Sequence, residues 1–246
     1  MIRLNNVSLD RHVQHEHSLD LKRSLFALLK GEYRAPERRS VLRDLTLEIG
    51  VGERLGIIGA NGAGKSTLLK VIAGILSPTQ GSVEVPGVVA PLIELGAGFD
   101  PDLSVFDNVV TYGVLLGLSR EVMLARMDEI LAFAELEDYR TTLVKTLSSG
   151  MLARLGFAVA TDVEADTLLI DEVLSVGDER FRKKSQGRIA AFWERGITSV
   201  IVSHDLDFIA RACSRVLCID RGRIAFIGAP KLAVRFYLDV VNAENG

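Results

Sequence analysis

Leu55-Gly56-Ile57-Ile58-Gly59-Ala60-Asn61-Gly62-Ala63-Gly64-Lys65-Ser66-Thr67 is the stretch that decides how this chain folds. Residues 55–58 form a short apolar run, which suits a strand buried on both faces. A helix should begin at Lys65 and run to about residue 73, with Gly74 and Pro78 punctuating the chain beyond it. Residues 59–67 match G-x-x-x-x-G-K-[ST], in the strand–loop–helix setting that gives the pattern its meaning. Glycines let the backbone fold tightly, so that successive N–H groups point inward at phosphate oxygens. The helix that follows adds the positive end of its dipole. Lys65 would bring a mobile charge to the β- and γ-phosphates. The Ser66 hydroxyl is a candidate Mg²⁺ ligand. Gly59, Asn61, Gly62, Ala63, Gly64, Lys65, Ser66 and Thr67 are therefore candidate nucleotide-binding residues. A glycine-rich turn that binds nothing is the plain alternative, but a lysine followed by two hydroxyls has no packing reason to follow such a turn. The loop alone does not separate kinases, GTPases and transport ATPases.

Downstream, Thr167-Leu168-Leu169-Ile170-Asp171-Glu172 reads as an apolar strand ending in two acids. Burying adjacent carboxylates without partners is costly. Delivering them to a sheet edge beside Mg²⁺ and phosphate offsets that cost. Asp171 is then placed to hold the metal, and Glu172 to orient and deprotonate an attacking water. Exposed acids at a strand end are the bland reading.

Working outward, residues 1–9 alternate apolar and polar, as do residues 41–49, and both read as strands. Residues 10–40 are charged and irregular, with a possible short amphipathic helix marked by Leu21, Leu25, Leu28 and Leu29. A pair of short strands is expected over residues 82–93, around Pro86-Gly87. Residues 105–165 look mostly helical. Strands at 167–170, 199–202 and 216–219 alternate with helices at 179–195 and 205–213, and a helix over 232–241 closes the chain. Alternating strand and helix implies a parallel sheet covered by helices, with the helical block as a subdomain beside it. The composition, 48% hydrophobic and 25% charged over 246 residues, is that of an ordinary globular protein. A net charge of −3 gives no basic field for nucleic acid. Cys213 and Cys218 match neither a redox pair nor a zinc cluster and read as reduced thiols. The first ten residues lack a basic start and apolar core, so no secretory signal is expected. No stretch approaches the roughly 18 apolar residues of a membrane span, so a partner would have to hold this chain at a membrane.

Leu147-Ser148-Ser149-Gly150-Met151 resembles the signature of ABC ATPases, usually LSGGQ, and lies where that family carries it. Ser175-Val176-Gly177-Asp178 resembles the loop that follows the acids in this family. Ser203-His204-Asp205 resembles its switch histidine, and residues 220–224 its D-x-G-x-I turn. Ile93-Glu94-Leu95-Gly96-Ala97-Gly98-Phe99, the run 171–178 and the long stretch before Val41 are similar to the ATPase subunits of bacterial polysaccharide exporters. Those subunits serve lipid-linked O-antigen, capsule and teichoic-acid chains.

The resemblance implies an α/β fold of the P-loop NTPase (RecA-like) kind. It implies a mainly parallel sheet, an antiparallel β subdomain and a helical signature subdomain. One nucleotide-binding domain would span 1–246, with its catalytic core at about 1–93 and 166–246 and the helical subdomain at about 102–165. The chain stops at Gly246, so it resembles the short form without a C-terminal carbohydrate-binding domain. The resemblance implies ATP and Mg²⁺ as cofactors and a head-to-tail homodimer. In that dimer Ser148, Ser149 and Gly150 of one copy would cap ATP on the phosphate loop of the other. It further implies an integral membrane permease as partner, no nucleic acid, no direct contact with the polysaccharide, and a peripheral place on the cytoplasmic face of the inner membrane. His204 would reach the γ-phosphate, with a core histidine at a strand end as its alternative. Asp178 would organise the dimer interface or cap the next helix.

Met151 and Ser149 depart from the usual signature. No glutamine lies in 91–101, where the family has one that touches Mg²⁺, and Glu94 is the candidate in its place. For stacking on adenine the candidates are His12 and Tyr33. His12, His15 and His17 read as a solvated loop rather than a metal site. The stripe over residues 21–29 fits either docking on a membrane partner or packing on the core. Trp193 reads as packing, and residues 131–139 as part of the helical subdomain that contacts the permease. Two rival functions remain: an exporter of drugs or lipids, and a soluble ABC ATPase of translation or DNA repair. The latter usually carries paired cassettes or a coiled-coil insertion, both missing from this sequence.

Overall fold

The computed structural model describes residues 1–13, 37–172 and 177–244. In chain order the elements are β1 (Ile2–Val13), β2 (Glu37–Ile49), β3 (Arg54–Ile58), α1 (Lys65–Ile72), β4 (Gln80–Glu84), β5 (Val89–Leu92), α2 (Val105–Leu115), α3 (Arg120–Ala134) and α4 (Ser149–Ala160). They continue with β6 (Thr167–Asp171), α5 (Glu179–Glu194), β7 (Thr198–Val202), α6 (Leu206–Ala212), β8 (Arg215–Asp220), β9 (Arg223–Gly228) and α7 (Pro230–Glu244).

The alternation in the first strands has the expected consequence. Ile2, Leu4, Val7 and Leu9 of β1 are buried with Leu42, Leu45, Leu47 and Ile49 of β2, in an antiparallel sheet ordered β2-β1-β4. Both strands run further into residues 10–40 than their charged composition suggested, with Asp10 to Val13 paired to Ser40 to Glu37. Ladder bonds satisfy backbone N–H and C=O groups whatever the side chains are, so a polar ribbon leaves no hydrophobic trace. His15, His17, the stripe over 21–29 and Tyr33 lie outside the described residues. The two short strands over residues 82–93 form, but they part at Pro86-Gly87. β4 joins the antiparallel sheet, whereas β5 is the edge of the larger one.

The larger sheet has the order β5-β6-β7-β3-β8-β9. It is parallel from β5 to β8, with β9 antiparallel. Every residue of β7, and all of β6 except Asp171, is buried, as strands covered on both faces require. One core lies between this sheet and the antiparallel one, filled by Leu55 and Ile57 of β3 and by Leu68, Leu69, Val71 and Ile72 of α1. The other lies on the opposite face, where α2, α3 and α4 meet through Val109, Met127, Ile130, Leu155 and Phe157. Serine or aspartate caps five of these helices: Ser104, Ser119, Ser148, Asp178 and Asp205 each accept a backbone N–H three residues on.

Trp193 packs, as expected, and donates its indole N–H to Ser199 Oγ at 3.1 Å. Both cysteines are free and buried, and burial pushes the Cys213 thiol up to about 12 and the Cys218 thiol up to about 11. Neither is a thiolate at neutral pH. Among the described residues, no helix is long and apolar enough to cross a membrane.

Candidate active site

Because β6, β7 and β3 are adjacent and parallel, the loops that leave their C-terminal ends emerge at one edge of the sheet. Those three loops carry residues 59–64, Asp171-Glu172 and Ser203-His204. The topology therefore gathers three segments that are far apart in sequence, the first more than a hundred residues before the other two.

The phosphate loop is held by what surrounds it. Gly59 and Gly64 have φ of 155° and 112°, and an added Cβ on Gly64 would stand 2.9 Å from Leu42 Cδ2 and 3.1 Å from Val41 O. β2 thus crosses directly over the loop. Beside β2, Gly222 in the β8–β9 turn donates its N–H to Ala63 O at 3.0 Å. Gly64 is the N-cap of α1 and has no side chain to accept the first amides of the helix, which stay available to an anion. Lys65 is 7% exposed and donates from Nζ to the carbonyls of Gly59 at 2.8 Å and Ala60 at 3.0 Å. Burial lowers its pKa, with Glu172 and Asp171 pulling the other way. A desolvated ammonium with two acids nearby gains an added counter-charge when a polyphosphate enters the loop.

The Asp171 carboxyl is pushed up by burial, opposed by a hydrogen bond with Ser66 and by the charges of Lys65 and Lys70, while Glu172 adds to the rise. The contact between Ser66 and Asp171 places a hydroxyl and a carboxylate together. These are hard oxygen donors, and the set fits Mg²⁺ better than a soft metal. Glu172 adopts a left-handed φ of 52°. Its N–H bonds Val202 O at 3.1 Å, and its Oε1 accepts from His204 Nε2 at 2.7 Å. A non-glycine residue held in this region at a strand end is a common mark of a functional site. His204 is thus half-exposed and directed at the carboxylate, not packed in the core.

Glu94 also has a left-handed φ, of 49°, and its Oε1 takes the Lys70 ammonium at 2.6 Å. Lys70 is one of the charges acting on Asp171, so Glu94 stands near the acids but is already engaged. The following turn lies against α4, since a Cβ on Gly156 would come within 2.7 Å of Gly96 N. Ser148 and Ser149 are exposed. The Ser148 hydroxyl accepts the Met151 N–H at 3.2 Å, and α4 packs on α2, α3 and β5. The structure brings Lys65, Ser66, Asp171, Glu172 and His204 together, and sets Ser148, Ser149 and Gly150 at a separate helix tip. Asp178 caps α5 by accepting the Phe181 N–H at 2.8 Å. Residues 173–176 of the segment after the acids lie outside the described residues. Residues 131–134 close α3, Leu131 is buried and Tyr139 is exposed. The Lys70–Glu94 pair and the support from β2 and Gly222 had no sequence signal, because each joins segments with no common pattern.

Residues 42–175 match the family described as ABC transporter. The chain is 43% identical over 223 residues to the O-antigen export system ATP-binding protein RfbB of Myxococcus xanthus, covering 90% of this chain and 51% of that protein. It is 38% identical over 243 residues to the protein of the same name from Klebsiella pneumoniae, covering 96% and 97%. A solved dimeric ATP-binding cassette, in a post-hydrolysis state with ADP and phosphate, superposes with a TM-score of 0.71 at 22% identity, covering 94% of this chain and 99% of that one. At that identity the superposition shows the fold, and the fold is that of the P-loop ATPase cassettes. The chain belongs to the ABC transporter family, as one of its ATP-binding, ATP-hydrolysing proteins.

Proposed function

We propose that this chain powers export of a lipid-linked polysaccharide through a separate integral membrane permease, from the cytoplasmic face of the inner membrane. It does so as a head-to-tail homodimer that closes on ATP. The observation that carries the catalytic part is the convergence at one sheet edge of Lys65, the Ser66–Asp171 contact and the Glu172–His204 pair at 2.7 Å. The names of relatives covering nearly the whole chain support the export reading.

Loop amides of residues 59–64 and the first turn of α1 bind the phosphates, and Lys65 leaves its two carbonyl acceptors for phosphate oxygens. Ser66 and Asp171 would hold Mg²⁺, with Glu94 as a further candidate ligand. The metal ion supplies charge neutralisation on the phosphates. Glu172 accepts a proton from the attacking water as the new bond to the γ-phosphorus forms and the bond to the ADP oxygen breaks. His204 holds the Glu172 carboxylate and, once nucleotide is bound, the γ-phosphate. The exposed tip of α4, with Ser148, Ser149 and Gly150, caps the nucleotide of the second copy, where a helix N-terminus favours an anion. Closure excludes water and does work on the permease, and hydrolysis removes the bridging phosphate. The catalytic core at 1–93 and 166–246 and the helical subdomain at 102–165 act as one nucleotide-binding domain. The polysaccharide touches the permease and not this chain, and no nucleic acid takes part.

Purification of the full chain from native membranes tests the export reading. An integral membrane subunit should accompany it in stable ratio, and cells lacking it should accumulate lipid-linked glycan inside. Recovery without any membrane protein, or with nucleic acid instead, refutes it.

A further inference from the structure

Glu135 ends α3 in the left-handed region, with φ 59°, as the helix's C-terminal cap. That turn aims its carboxylate between two other helices. Oε2 takes the Arg154 guanidinium of α4 at 3.1 Å, with the two side chains 30% and 18% exposed. Oε1 is buried without a hydrogen-bond partner, and the Arg180 guanidinium in the first turn of α5 lies 3.8 Å from it. Arg154 also lies over the Phe181 ring at 5.8 Å, and Phe181 gives its N–H to the Asp178 cap that starts α5. A Lys184 ammonium on α5 donates to Phe133 O at 2.8 Å, closing the same end of α3. One carboxylate therefore ties the end of α3 to the helix that opens at Ser148, and its Arg154 partner reaches the start of the helix that opens at Asp178.

We propose that Glu135 is a positioning residue for the ATP site. By holding Arg154 it fixes α4 against the end of α3 and keeps the guanidinium over the Phe181 ring at the start of α5, and so sets where Ser148, Ser149 and Gly150 stand when they cap the nucleotide of a second copy. The pair between Glu135 and Arg154 is mostly shielded from water, so its charge-assisted hydrogen bond constrains orientation more than an exposed ion pair does. The proposal rests on the head-to-tail reading above and adds to it the residue that orients the cap.

The test uses the full chain with Glu172→Gln, which holds ATP without turning it over. ATP is titrated and the dimer is followed by light scattering, while ATP binding to dilute monomer is measured by fluorescence. Glu135→Gln keeps the shape of the side chain and removes its charge. It should raise the ATP concentration for half-maximal dimer about 10-fold, the effect of losing one charge-assisted bond, with monomer affinity unchanged. Arg154→Gln should do the same from the other side, and it decides the matter if Glu135→Gln fails to fold. Arg140→Gln, which breaks an exposed pair with Asp128 in the same helical layer, should leave the titration where it was. If the parent dimerises and Glu135→Gln dimerises as readily, or if monomer affinity falls by the same factor, the positioning role is overturned. If the parent does not dimerise at all, the head-to-tail reading fails and this proposal falls with it.

Discussion

Replacing Glu172 with glutamine separates chemistry from structure at this site. The amide is isosteric with the carboxylate, and its Oε1 still accepts from His204 Nε2, now 2.7 Å away. The left-handed φ of 52° is no harder for glutamine than for glutamate, so the backbone has no reason to move. The His204–Glu172 contact is half-exposed on both sides, 54% and 50%, and exposed contacts of this kind contribute about 0–1 kcal/mol. A chain of this size loses about 2–4 °C of Tm per kcal/mol, so melting should shift by no more than a few degrees. The catalytic loss is larger, because an amide does not take a proton from water. Removing a general base costs about 10²–10⁴-fold, or about 3–5 kcal/mol on the barrier. Phosphate release at saturating ATP should therefore collapse while nucleotide binding persists, and the ATP-loaded variant should elute as a dimer in size exclusion. Hydrolysis at the parental rate would remove Glu172 as the base. A rate loss matched by an equal loss of stability would reduce it to a structural residue.

Lys65→Ala should weaken ATP binding by at least about 10-fold, the scale of one charge-assisted contact, read by titration with a fluorescent nucleotide; an unchanged affinity would contradict its role in the loop. Asp162 is 3% exposed and holds Arg126 at 2.7 Å and Arg188 at 3.2 Å, but burial lifts its own pKa, so Asp162→Asn exchanges two part-exposed ion pairs for a smaller desolvation cost and should stay within about 1 kcal/mol of the parent. Asp128→Asn, at an exposed pair, should stay within about 1 kcal/mol by urea unfolding. Asp171→Asn should raise the melting temperature of the nucleotide-free protein at neutral pH. Burial lifts the folded-state pKa of Asp171, so keeping it ionised costs stability above that pKa. The cost fades as pH falls through the folded value toward the unfolded one. The gain of Asp171→Asn should shrink with it on acidification, and a gain that instead grows toward low pH would contradict the assignment.

Several features were legible in the linear chain because each is a local pattern with a local cause. The strand–glycine loop–lysine segment over residues 55–67, the apolar strand ending at Asp171-Glu172 and the alternation in β1 and β2 all express short-range backbone preference and one-sided burial. The outer ribbon of β1 and β2 escaped that reading because its sequence is mostly charged and backbone ladder pairing leaves no mark on hydropathy.

What the sequence determined by itself is the inventory: a phosphate loop, two acids, a histidine after a strand and a serine-capped helix. The tertiary structure alone decided the partners of those groups. Glu172 meets His204, Lys70 meets Glu94 across 24 positions, and Glu135 meets Arg154 across 19. Each of those contacts joins chain segments whose separation in space is set by sheet order and helix packing. Spacing along the chain carries no record of that order, so charges brought together by topology become visible only once the strands have been placed.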